Sequence, residues 1–157
     1  MDLDKLLDLA ELHARMILFK RRQQLPPTWI LSGGKEMRKL FTPWTTDMER
    51  ELAKAYMAIQ IKQHNTVAYC VISEVWVAKE TPENYASKNF VQPRHRPDRK
   101  EMVFAFATDG QTVQNRQWQI VRDWHERIIK LEPQNKQGYE GFGGWMIGLL
   151  GEPTKFV

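Results

Sequence analysis

The apolar positions at the start of the chain recur at helical spacing. Leu3, Leu7, Ala10, Ala14 and Ile17 follow i, i+4, i+7, while Asp4, Asp8, Glu11 and Arg15 fall on the other side. The pattern predicts an amphipathic helix over 2–22, with acidic residues at its start and Lys20-Arg21-Arg22 at its end, as the helix dipole favours. Leu6, Leu9, Leu12, Met16 and Phe19 widen the apolar stripe beyond what one sheet face needs, which implies cover on two sides. Pro26-Pro27 forbids further helix. Thr28 to Ser32 is β-branched and aromatic, and Gly33-Gly34 separates it from a second extended run that ends before Pro43, the signature of a hairpin. Thr46 and Glu49 form a capping box. The helix they start runs to about residue 63, with Met48, Leu52, Ala55, Tyr56 and Ile59 as its expected core face.

Thr66 to Ala78 is apolar almost without a break, which predicts a central strand covered on both faces. A polar connection with three prolines fills 80–100, long for a loop in a small domain. Met102 to Thr108 reads as a strand, Asp109-Gly110 as a turn, Thr112 to about Arg122 as its partner, and Ile128 to Leu131 as a further strand. The end of the chain is rich in glycine, with Tyr139, Phe142 and Trp145 interleaved. The order helix, hairpin, helix, then three or four strands predicts an α+β fold with one mostly antiparallel sheet. By element order alone it resembles a profilin-like or roadblock-like arrangement.

With 157 residues, the chain has the length of one domain, expected over 1–157. A hydrophobic fraction of 42% and a charged fraction of 27% exclude disorder as the default. The net charge of +4 is too small and too scattered for a convincing nucleic-acid footprint. Six Trp are many, and some are expected at a contact surface although core packing is the ordinary fate. Cys70 stands alone in an apolar run, so it predicts a buried thiol and a reducing, cytoplasmic home. The opening Met1-Asp2-Leu3-Asp4 is acidic where a signal peptide needs basic residues. No apolar stretch approaches the roughly 20 residues of a membrane span, and no membrane partner is expected.

Glu74 is the main candidate for chemistry. It sits mid-strand between Ile72 and Trp76, where a carboxylate must be paired, protonated or facing a cleft. The functional reading is a general acid/base or a metal ligand; the ordinary one is a satisfied ion pair, with Arg99, Lys100 or Arg122 as partner. The run Arg94-His95-Arg96-Pro97-Asp98-Arg99-Lys100-Glu101 is the densest in charge. Arg94, Arg96 and Arg99 could meet phosphate, carboxylate or an acidic partner, although alternating signs suit a self-paired, solvated loop. Trp76 and Trp145 are the aromatic candidates for binding. Pro97-Asp98 supplies half of a carboxylate–lysine nuclease signature, but no acidic-x-Lys follows. His13, His64, His95 and His125 lack metal-ligand spacing, and the glycines match no nucleotide-binding pattern, so no metal or cofactor is expected.

Several strings together resemble a family of short phage, prophage and bacterial proteins of unknown function. They are His13-Ala14-Arg15, Pro26-Pro27-Thr28-Trp29, Thr42-Pro43-Trp44, Ser73-Glu74-Val75-Trp76, Arg96-Pro97-Asp98-Arg99-Lys100-Glu101 and Gly148-Leu149-Leu150. The resemblance implies no activity and raises the expectation of a virion or accessory protein. The leading expectation is therefore a non-enzymatic module that binds a protein partner or itself. The alternatives are a small hydrolase or nucleotide-acting enzyme built around Glu74, and a weak nucleic-acid binder using Lys20-Arg21-Arg22 and the 94–100 run.

Overall fold

The structure is a computed structural model that describes residues 2–77, 99–134 and 144–157. Helix α1 (Leu3–Arg15) leads through a π-helical turn (Met16–Lys20) to the hairpin of β1 (Thr28–Gly33) and β2 (Glu36–Phe41). Helix α2 (Asp47–Gln63) precedes β3 (Ala68–Val77), β4 (Lys100–Thr108), β5 (Thr112–Arg122) and β6 (Ile128–Pro133). A 3₁₀ turn (Gly144–Met146) and the two-residue β7 (Lys155–Phe156) close the order. The strands lie as β2-β1-β3-β4-β5-β6, each antiparallel to its neighbour, and β7 adds to β5 in parallel. The fold is α+β with a mostly antiparallel sheet, as expected, but the described residues hold seven strands, more than the sequence predicts. The additional β7 is two residues long and exists only because β5 extends past β6, so no local pattern announces it.

The two faces of the sheet carry separate cores. On one face α1 lays Leu3, Leu6, Leu7, Ala10 and Ala14 over Ile30, Cys70, Ile72, Val103 and Trp118. The Asp2 side chain caps that helix by accepting the Asp4 N–H at 2.9 Å. Its polar stripe is tied to the sheet: Arg116 on β5 meets Asp8 at 2.7 Å and Asp4 at 3.4 Å. Leu6 and Phe19 are drawn toward the core, whereas Leu9, Leu12 and Met16 remain 39%, 66% and 37% exposed. The over-wide stripe is thus only partly covered.

On the other face α2 packs Met57 and Ile61 against Trp29, Leu31 and Tyr69. This corrects the sequence expectation. Ala53, Met57 and Ile61 are buried, while Met48, Leu52, Tyr56 and Ile59 point outward at 76%, 64%, 44% and 52% exposure. The helix carries two apolar stripes on opposite sides, and the sheet surface, already filled by Trp29 and Tyr69, receives the narrower one. Its start is where the capping pattern puts it: the Glu49 N–H donates to Thr46 Oγ1 at 3.1 Å. The Glu49 carboxylate reaches back one residue further than a simple box, to the Thr45 N–H at 2.7 Å. At the other end of α2, a Cβ on Gly33 would stand 2.2 Å from the His64 carbonyl oxygen, so only glycine lets the hairpin pass.

Candidate functional site

Residues two apart on a strand share a face, so Ile72, Glu74 and Trp76 all point to the α1 side of the sheet. Ile72 lies under α1, but Glu74 and Trp76 lie beyond the helical segment that ends at Lys20. The chain that follows folds back across Glu74. The Leu25 N–H donates to Glu74 Oε1 at 2.7 Å, and the Glu74 N–H donates to the Leu25 carbonyl at 3.5 Å. The direct partner is therefore a backbone amide and not Arg99, Lys100 or Arg122. Arg122 is committed elsewhere: its guanidinium holds Glu101 through contacts of 2.9 to 3.1 Å and donates to the Glu126 carbonyl at 2.7 Å.

Burial raises the proton affinity of Glu74 above that of an ordinary carboxylate. The Leu25 amide works against this, the Glu101 charge adds to it, and Arg122 offsets it from a distance. Trp76, 41% exposed, lies under the Arg99 guanidinium at 4.7 Å from its ring centroid, a cation–π contact. The fold thus gathers Glu74, Trp76 and Arg99 at one margin of the sheet. Arg94 and Arg96 lie outside the described residues, as does the glycine-rich stretch up to residue 143.

Next to this margin, on the α2 side, a groove of about 670 Å³ runs between Gln24–Pro27 and Pro43–Thr45. Trp44, Val71, Val75, Phe104 and Met146 line it, and Glu74 contributes to the lining. Trp145 is placed away from Trp76, in an aromatic cluster 5.6 Å from Trp29 and 6.0 Å from Trp44. There the Tyr69 hydroxyl donates to the Met146 carbonyl, and burial drives its proton affinity up. Trp145 thus packs, partly buried, between the sheet and the C-terminal segment.

Chemically, this margin offers one carboxyl that holds its proton more tightly than usual, with a second carboxylate, Glu101, close enough to be felt. The neighbouring Ser73 hydroxyl is used within the strand, donating to the Glu74 carbonyl at 3.1 Å. The Cys70 thiol is buried and donates to the Leu6 carbonyl at 3.5 Å, and burial pushes its pKa up to about 12, which disfavours the nucleophilic thiolate. Among the described residues no group of three His, Cys, Asp or Glu could hold a metal ion, and no helix is long and apolar enough to cross a membrane.

A second surface escapes sequence reasoning. Met37, Lys39 and Phe41 stand opposite Ser32, Ile30 and Thr28, and Ile30 belongs to the α1 core. These β2 residues therefore share the α1 side of the sheet. Phe41 lies 5.9 Å from the buried ring of His13, with Lys39 Nζ 5.7 Å from the Phe41 centroid. Met37 and Phe41 are 45% and 46% exposed, beside the exposed Leu9 and Leu12 of α1 and Met16 of the π-helical turn. His13 is 5% exposed, and among the described residues neither ring nitrogen has a hydrogen-bond partner. Burial, reinforced by Lys39 and Arg21, lowers its pKa and keeps it neutral. The signal in the sequence was the alternation Met37, Lys39, Phe41, a period-two apolar face interrupted by one cation.

Comparison of the chain with protein-family models, with curated proteins and with solved structures finds no match. The fold and its surfaces define an α+β protein in which the described residues place one α-helix on each face of a mostly antiparallel sheet.

Proposed function

We propose that this chain is a non-enzymatic protein-binding or assembly module whose contact surface is the flank formed by α1 and β2. The observation that carries the reading is the group of five exposed apolar side chains there, Leu9, Leu12, Met16, Met37 and Phe41. Apolar side chains clustered at a surface rather than scattered singly mark interaction sites. Lys39 and Arg21, both close enough to act on His13, give the flank a basic character that suits a partner with carboxylates. The resemblance to short phage and bacterial proteins suits a virion or accessory assembly in the host cytoplasm. The profilin-like or roadblock-like element order lends no activity, because one fold hosts many functions.

The test is a photo-crosslinking residue placed at Leu12, compared with one at the exposed Lys130 of β6. Discrete adducts are expected from position 12 in producing cells, and adding Phe41→Asp should abolish them. Equal labelling from both positions would end the proposal.

A second reading has its own observation: the raised proton affinity of Glu74 beside the groove suits a general acid in a small hydrolase. Turnover of ester or phosphoester probes that disappears in Glu74→Gln would support it. Identical rates for both proteins would remove it.

A further inference from the structure

We infer that the outward face of α2 is a homodimer contact, in which a second copy of the chain packs its α2 antiparallel against the first. The surface lies on the opposite side of the sheet from the α1–β2 flank and does not depend on that reading. Met48, Leu52, Tyr56 and Ile59 recur at i, i+4, i+8 and i+11, so they form one continuous stripe along the helix. All four are between 44% and 76% exposed, and Ala55, between Leu52 and Tyr56, is exposed as well. The opposite stripe, Ala53, Met57 and Ile61, already anchors the helix to its own sheet. Among the described residues the outward stripe therefore plays no part in holding α2 in place.

The choice of a second copy as occupant rests on the self-complementarity of the stripe. Consider two α2 helices antiparallel about a two-fold axis at the level of Ala53 and Lys54. Met48 of one copy then stands level with Ile59 of the other, and Leu52 with the Ala55–Tyr56 pair. Large side chains end the stripe on both sides of its centre, so each half meets its match. Such isologous contact of one patch with itself is what a two-fold dimer requires.

The charges agree with this arrangement. Asp47, Glu51 and Lys62 lie along one flank of the stripe, acidic toward the start of the helix and basic toward its end. Antiparallel helices facing each other about a two-fold axis bring like flanks together. Asp47 of one copy then lies within about 3 Å, along the axis, of the level of Lys62 in the other. Among the described residues the 96% exposed Asp47 side chain has only a loose 3.6 Å contact with Arg50, so it is available. The other flank carries Glu49 and Gln60, which places no like charges in opposition. Antiparallel packing also opposes the two helix dipoles favourably. A parallel pair would instead set acid against acid at one end.

Four large apolar residues a side make a small interface compared with the standard 20 to 30 residues, so the dimer should be weak, with Kd on the order of 10–100 μM. The experiment is sedimentation equilibrium of the full chain from about 10 μM to about 1 mM, which brackets that range. A reversible monomer–dimer equilibrium is expected. Leu52→Glu should weaken it at least about tenfold without changing far-UV circular dichroism, because Leu52 is 64% exposed and lies on the side of α2 away from Ala53, Met57 and Ile61. Asp47→Lys and Lys62→Asp should each weaken the dimer, and the double exchange should restore it, a recovery that general destabilisation cannot mimic. Leu12→Glu, on the other flank, should leave it intact. A strict monomer at the highest concentration, or a dimer lost in Leu12→Glu and kept in Leu52→Glu, would overturn the inference.

Discussion

Replacing Glu74 by alanine and by glutamine separates what its oxygen does from what its charge does. The oxygen accepts the Leu25 N–H at 2.7 Å in a half-buried setting. Alanine removes that acceptor and leaves the amide unpaired. A lost hydrogen bond to a charged group costs about 1.5–3 kcal/mol when buried, and partial access to water brings the expectation to about 1–2 kcal/mol. Glutamine keeps an acceptor in the same place while removing a charge that burial and Glu101 both disfavour. Its stability at neutral pH should fall within about 0.5 kcal/mol of the parent. In urea, with a slope of about 2 kcal/mol per M for a domain of this size, alanine should lower the midpoint by about 0.5–1 M and glutamine by less than about 0.3 M.

Intrinsic tryptophan fluorescence reports the transition. The charge has a second consequence, in pH dependence. A carboxyl whose folded pKa is raised binds its proton more tightly in the native state than in the unfolded chain. It therefore destabilises the fold as pH rises from the ordinary carboxylate value through the raised one. Glu74→Gln should lack this loss, so its stability relative to the parent should rise as pH climbs above the ordinary carboxylate value of 4.5. If glutamine proves as damaging as alanine, the charge and its distant attraction to Arg122 hold the site, and the backbone-amide account is wrong.

Two further outcomes follow from buried polar groups. Thr42→Val should cost about 1–3 kcal/mol in chemical denaturation, because the buried Trp29 indole N–H donates to Thr42 Oγ1 at 2.7 Å and would lose its acceptor; a neutral result would require another acceptor for that indole. His13 has its folded pKa lowered by burial, Lys39 and Arg21, so the unfolded chain binds the extra proton and stability should fall as pH drops below about 6.5. His13→Phe should flatten that part of a stability–pH profile, and an unchanged profile would show that the ring is not the responsible group.

Much of the architecture is legible in local pattern. The stripe of Leu3, Leu7, Ala10 and Ala14 identifies the centre of the buried side of α1, although the wider apolar pattern did not tell buried Leu6 from exposed Leu9 and Leu12. The glycines at 33 and 34 mark the hairpin, Thr46 marks the start of α2, and the unbroken apolar run through Cys70 and Ile72 marks a strand with cores on both faces. Each of these depends on residues within a few positions of one another. The face of α2 does not. Both of its stripes satisfy a helical period, and only Trp29, Leu31 and Tyr69, assembled from two strands, select Met57 and Ile61 over Leu52 and Ile59. Likewise the sequence shows that Glu74 needs a partner, but the Leu25 amide that serves it is 49 residues away, and backbone donors leave no mark in side-chain chemistry. The flank of His13, Met37 and Phe41 arises where an edge strand passes under a helix. The sequence by itself therefore determined the elements and their apolar faces wherever there was only one face to choose, while the tertiary structure alone decided between competing faces and joined distant residues into surfaces, because those outcomes depend on contacts that no local period encodes.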